Sequence, residues 1–327
     1  MAWSGISRSV DATRGSAARS RTSPPRPTSS SRRSRSSPRC SRPPPSARPR
    51  SRRRCCACSR RRTCTRACEA TRLRPRRGGP IVAAVTRRAW LEAEPFTLVL
   101  SAGFFGFYSH TGLLHALEHA GVRPRRIVGV SAGALAGGLW AAGLPAEDLA
   151  RELLALRRRD FWDPGLPLGG LLRGRKFAAE LRRVLAATGR SEIEQCERPF
   201  VAIAHDVLAR RTLPIDRGDL ADAIRASCTV PLMFRPMLLG GRVVVDGGVS
   251  DRIGRAVLQP GERVLMHLIP SRRRVARNRA ASVMPPLDAQ VLVTPGVPAL
   301  GPFALAQAEQ AYTVTRRHAA AWLEQPP

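Results

Sequence analysis

From about Trp90 onward, short apolar runs alternate with segments of helical period, and that alternation admits few folds. Strands are predicted at Phe96–Ser101 (F-T-L-V-L-S), Ile127–Val130, Phe200–Ala204, Arg242–Val245, Val264–Ile269 and Gln290–Val293. Helices are predicted at Thr111–Ala120, from about Ser131 through A-L-A-G-G-L-W, and at Ala146–Arg157, Lys176–Ala187, Leu220–Ala226 and Leu305–Leu323. Continuous apolar strand runs separated by helices point to an α/β domain with strands buried on both faces. No repeat and no Pro/Gly/Ser-rich linker divides the chain after residue 94, so one domain over 94–327 is expected.

The first 88 residues have a different texture. They hold 25 of the 55 basic residues, all of them Arg, but only Asp11 and Glu69 of the 24 acidic ones, leaving a balance of +8 for the rest. With 16 Ser, 10 Pro and Trp3 as the one aromatic side chain, this stretch cannot bury enough apolar surface to offset its ordering entropy. Lys176 is the only lysine, so Arg dominance runs through the whole chain and suggests a biased coding sequence. The stretch is read as a disordered Arg/Ser/Pro-rich extension, translated upstream of the functional start, and nucleic acid is not the expected partner. A phosphate-gripping arm is the competing reading.

Six of the eight cysteines (40, 55, 56, 58, 64, 68) fall in that extension with no paired C-x-x-C spacing and no interleaved His, so neither a metal nor a cofactor is expected. Cys196 and Cys228 stand apart from each other, as in a reducing compartment. No apolar run reaches about 18 residues and no secretory h-region follows the basic start. A cytoplasmic or peripheral-membrane location is therefore expected; oligomeric state is not encoded in any pattern. Arg235, Arg242 and the basic run Arg272–Arg279 are candidate contacts for an anionic bilayer.

Three short motifs carry chemistry. The first is G-V-S-A-G, Gly129 to Gly133, after a predicted strand and before a predicted helix. A nucleophile elbow needs small residues on both sides of a Ser held on a tight turn, with the helix N-terminus offering N–H groups to a developing oxyanion. The rival is a glycine-rich turn whose Ser131 merely caps the helix. The second motif, S-A-G-F-F-G-F at residues 101–107, is a βα loop able to aim backbone N–H groups at a carbonyl; it has no P-loop ending. The third, R-V-V-V-D-G-G, sets Asp246 at a strand end ahead of Gly247 and Gly248. A buried carboxylate there can act as a base, although Asp-Gly-Gly is also a common turn.

These blocks, with L-V-L-S-A-G, H-T-G-L-L-H-A-L-E-H-A-G and A-I-R-A-S-C-T-V-P-L-M-F, resemble the patatin-like phospholipases over about residues 96–255. The resemblance implies a three-layer α/β fold, with a central, mainly parallel sheet flanked by helices. It also implies hydrolysis of lipid esters through an acyl-Ser intermediate, with Ser131 as nucleophile and Asp246 as its base. Gly103, Phe104 and Ala132 would supply the oxyanion N–H groups, the first two by resemblance and the third by elbow geometry.

Two departures stand out. Where the family usually reads G-G-G-x-R/K-G, this chain has Ala102, Gly103, Phe104, Phe105, Gly106 and Phe107, without the positive side chain. Where the family usually reads Asn-Asn-x-Pro, it has Ser250, Asp251, Arg252 and Ile253. Two alternatives follow: a catalytically idle lipid- or protein-binding module, and a Ser131–Asp246–His267 triad in α/β-hydrolase order. His267 lies within V-L-M-H-L-I, which favours a core role.

Overall fold

The computed structural model describes residues 85–167, 169–270 and 287–327. All but the last few residues of the predicted extension, and the basic run 272–279, lie outside that range.

The chain enters through α1 (Arg87–Ala93), ahead of the expected domain start at residue 94. Thr86 caps it by accepting the Ala89 N–H at 3.1 Å, Leu91 is buried, and the Arg263 guanidinium lies 3.7 Å from the centre of the Trp90 ring. Seven residues are too few for a helical period to show in the sequence.

A central sheet follows, built from β1 (Thr97–Leu100), β2 (Arg126–Val130), β4 (Phe200–Asp206), β5 (Arg211–Ile215), β7 (Met237–Leu239), β8 (Arg242–Asp246), β9 (Arg263–His267) and β10 (Asp288–Leu292). Its order is β10-β9-β1-β2-β4-β8-β7, with β5 also on β4. The five strands from β10 to β4 are parallel; β8 runs antiparallel to β4, and β7 to β8. β1 is buried along its whole length, as a parallel strand covered on both faces must be.

The helices are α2 (Phe107–His119), α3 (Ala132–Ala141), α4 (Ala146–Ala155), α5 (Arg158–Phe161), α6 (Arg175–Ala186), α7 (Leu220–Ser227) and α8 (Ala308–Leu323). The main core joins Leu98, Leu100, Leu113, Leu117, Trp140, Phe200 and Ile224 from sheet and helices. Val99, Val128, Val130, Ile203 and Met266 form a second cluster on the other face, with Ile253 and Leu258 packed over them. The fold is thus mixed α/β, with a central, mostly parallel sheet flanked by helices.

A separate two-stranded parallel sheet pairs β3 (Gly170–Leu172) with β6 (Leu232–Phe234). Among the described residues no helix is long and apolar enough to cross a membrane.

Candidate active site

Parallel strands place their C-terminal ends along one edge, and there ligand-binding loops of α/β sheets collect. Leu100 at the end of β1 lies level with Gly129 of β2, so the 101–106 loop and the 129–133 turn leave the sheet side by side. Asp246 reaches the same edge by a different route. Val130 lies level with Ile203 on one side of β4, and Asp246 lies level with Ala204 on the other. One strand therefore separates Val130, the residue before Ser131, from Asp246, 116 positions further along the chain.

Ser131 has φ 53° and ψ −116°, a conformation that costs a non-glycine residue of the order of 1–3 kcal/mol. It stands at the N-cap of α3, but its side chain makes no capping hydrogen bond. A Cβ on Gly133 would sit 2.0 Å from the Leu100 carbonyl oxygen, and one on Gly129 would sit 2.6 Å from Ala134 Cα. The turn closes this tightly only without those side chains.

The Ser131 N–H donates to Ser227 Oγ at 2.8 Å, and Ser227 in turn donates to the Ile203 carbonyl at 2.6 Å. Cys228 Sγ–H reaches the Ser131 carbonyl at 3.1 Å, and the Asp246 N–H donates to the Thr229 carbonyl at 2.8 Å. Three consecutive residues, 227 to 229, thus hold both the serine turn and the strand that carries the carboxylate. In the sequence this segment stands out only as one of the blocks that resemble the family, and its clamping role rests on contacts that no local pattern encodes.

Asp246 Oδ1 accepts the Gly248 N–H at 2.7 Å, so the Asp-Gly-Gly turn exists as such, with Gly247 buried in a short 3₁₀ turn. Oδ2 is buried and closes no hydrogen bond among the described residues. Burial pushes the carboxyl up to about 6; the Ser131 hydroxyl, the Gly248 N–H and the Arg252 guanidinium oppose this by favouring the charged form.

Above the serine lies an apolar cleft with about 560 Å³ of empty space, counting its open mouth. Gly103, Phe104, Ser131 and Ala132 all line it, along with Phe105, Phe107, Leu135 and Phe161. The N–H groups of Gly103, Phe104 and Ala132 make no hydrogen bond among the described residues. Phe105, at φ 55°, is buried, so that aromatic serves as core and cleft wall together.

The family model described as patatin-like phospholipase matches residues 98–257. Those residues are a patatin-like phospholipase domain. An uncharacterised NTE family protein of Mycobacterium tuberculosis is 35% identical over 162 residues, covering 49% of this chain and 44% of that protein. The neuropathy target esterase sws of Drosophila melanogaster is 26% identical over 177 residues, covering 52% of this chain and 12% of that protein. The chain therefore spans less than half the length of these curated relatives. Among solved structures, VipD from Legionella pneumophila superposes with a TM-score of 0.47 at 11% identity, covering 70% of this chain and 67% of that one.

Two of the histidines in the patatin-like domain are paired with each other. His267 ends β9, which β1 separates from β2, and its Nδ1 lies 2.9 Å from His110 Nδ1. His110 Nε2 lies 2.9 Å from the Ser101 carbonyl, which can only accept, so that nitrogen carries the hydrogen. His267 must then donate from Nδ1, leaving its buried Nε2 as a bare acceptor with no partner among the described residues. Burial drives His110 down to about 4 and His267 well below the usual value. His205 is held by Ser250 Oγ at 3.0 Å and His115 by Tyr312 at 2.8 Å.

The two departures from the family meet in space. The Ala102 N–H donates to the Arg252 carbonyl at 2.8 Å, and the Arg252 guanidinium donates to the Ala102 carbonyl at 3.1 Å. A positive group absent from the loop thus comes to it from the segment after Asp246. Of the candidate bilayer contacts, Arg242 is paired with Asp206 at 2.9 Å, and Arg235 is folded onto the Leu166 carbonyl. Among the described residues no cluster of three His, Cys, Asp or Glu is placed to hold a metal ion.

Proposed function

We propose that the chain hydrolyses carboxylic esters of lipids through a Ser131–Asp246 dyad. The observation that carries this reading is an uncapped hydroxyl on a strained turn, facing an apolar cleft beside a buried carboxyl raised to about 6. In the first step Ser131 Oγ attacks the ester carbonyl while its proton passes to Asp246 Oδ2. The tetrahedral oxyanion takes hydrogen bonds from the Gly103, Phe104 and Ala132 N–H groups, which have no other partner among the described residues. Collapse expels the alcohol, which takes the proton back from Asp246, and water then hydrolyses the acyl-Ser by the reverse sequence with Asp246 again as base.

An acyl chain fits the cleft because Ser131 and Cys228 are the only lining residues whose side chains carry O, N or S–H groups. His267 is spent on His110, which supports a dyad over a triad. No metal or cofactor takes part in this scheme.

Turnover of p-nitrophenyl butyrate, together with fluorophosphonate labelling, tests the reading. Wild type is expected to hydrolyse and to be labelled, and Ser131→Ala to do neither. A folded wild type that shows neither activity nor labelling overturns the enzyme reading in favour of a lipid-binding module.

A further inference from the structure

Among the described residues, the exposed large apolar side chains gather most densely in one place. Phe104, Leu166, Leu171, Leu232 and Phe303, each 55 to 80% exposed, gather about the mouth of the cleft above Ser131. Their neighbourhood follows from contacts. Leu232 pairs with Gly170 in the β3–β6 sheet, next to Leu171. Phe303 packs edge-on against Trp162 at 5.8 Å, and a Cβ on its near neighbour Gly301 would lie 3.7 Å from the Phe104 ring.

The protrusion is built rather than loose. Asp163 accepts the N–H groups of Gly174, Arg175 and Lys176 and so caps α6, while Pro164 bridges to Leu172 and the Gly165 N–H donates to the Leu171 carbonyl at 3.0 Å. Leu232 is held at φ 69°, a strained conformation for a leucine, with its side chain 80% exposed. Soluble surfaces rarely keep such a contiguous apolar patch without a partner.

Charge identifies the partner. Residues 157–176 carry six basic side chains and two acidic ones, Asp160 and Asp163. Both acids are turned onto backbone N–H groups, Asp160 accepting that of Arg157 at 2.7 Å. Apolar tips ringed by Arg and Lys match the boundary of an anionic bilayer, where acyl chains lie just beneath negatively charged head groups.

We propose that this rim, centred on Leu166, Leu171, Leu232 and Phe303, is the face by which the domain docks on an anionic lipid surface. Docking there brings the cleft mouth onto the bilayer, so that an acyl chain enters without crossing water. Only this last consequence rests on the acyl-hydrolase reading; the docking face itself does not.

The test uses the full chain carrying Ser131→Ala, so that the vesicles stay intact. Cosedimentation with phosphatidylcholine–phosphatidylglycerol vesicles is compared for this parent, for added Leu171→Asp/Leu232→Asp, and for added Leu208→Asp, an equally exposed leucine beyond β4. The rim variant is expected to lose roughly tenfold or more in partition, and Leu208→Asp to match the parent. Because the Arg-rich N-terminal stretch can also hold anionic vesicles, hydrogen exchange provides a local readout. Peptides covering 163–173 and 230–234 slow on vesicle addition if the rim docks. Equal partition of rim variant and parent, or unchanged exchange in those peptides, overturns the proposal; so does a parent that dimerises through the rim and ignores vesicles. Soluble-ester turnover of the same rim substitutions with Ser131 restored is expected to stay at the wild-type level. A wild type inactive on soluble ester defeats the hydrolase reading alone, while vesicle binding still decides the docking face.

Discussion

Ser227 Oγ accepts the Ser131 N–H at 2.8 Å while donating to the Ile203 carbonyl at 2.6 Å, so a buried hydroxyl ties the strained serine turn to the centre of the sheet. Ser227→Ala leaves that N–H without its acceptor, a loss of about 1–3 kcal/mol. The expected result is a lower denaturant midpoint, with ester turnover reduced more than the stability loss explains, because the turn relaxes. Unchanged turnover in a folded Ser227→Ala protein refutes the coupling.

The raised Asp246 carboxyl predicts two pH effects. As a base it must be ionised, so ester hydrolysis rises with pH through about 6. Asp246→Asn is expected to lose about 10²–10⁴-fold in turnover, along with that limb of the profile. A rate limb unchanged in Asp246→Asn would mean that another group titrates.

The second effect concerns folding. Since the folded-state value lies above the ordinary Asp value, the native state binds the extra proton, and its stabilising contribution is complete below about 4 and lost as pH rises through about 6. Asp246→Asn is therefore expected to be the more stable protein at neutral pH, by roughly 2–3 kcal/mol. Calorimetry at pH 7.5 and pH 4 checks this, and a variant less stable than wild type at pH 7.5 contradicts it.

The buried histidine pair titrates in the opposite sense. His110 and His267 are depressed, so the stability they contribute is present above about 6.5 and lost as pH falls toward the folded-state value, about 4 for His110. His267→Asn keeps a donor for His110 Nδ1 and removes one of the two titrating groups. It is expected to lose less stability than wild type between pH 7 and pH 4.5, and to keep most of its ester turnover. A turnover loss as large as that of Ser131→Ala would restore the triad.

Gly133→Ala tests the steric demand of the elbow. Its Cβ would meet the Leu100 carbonyl at 2.0 Å, for an expected cost of about 3 kcal/mol or more. Gly121→Ala, at φ 74° with open space around it, is expected to cost only about 1–2 kcal/mol. Thermal melts of the two variants in that order support the close approach; equal melts refute it.

The sequence by itself determined what depends on local period and local sterics. Buried strands such as T-L-V-L, the glycines flanking Ser131 and the strand-end position of Asp246 are legible because each constraint acts within a few residues. The short pieces β3, β5, β6 and β7 and the helix α1 escaped, since three to seven residues with mixed burial carry no readable period. Only the tertiary structure decided that Asp246 stands level with Ala204 across β4 from Val130, that residues 227–229 clamp both sides of the site, and that His267 is spent on His110. These are pairings between distant segments. They are set by strand register and by which buried polar groups find partners when the sheet closes, and neither leaves a periodic mark on the chain.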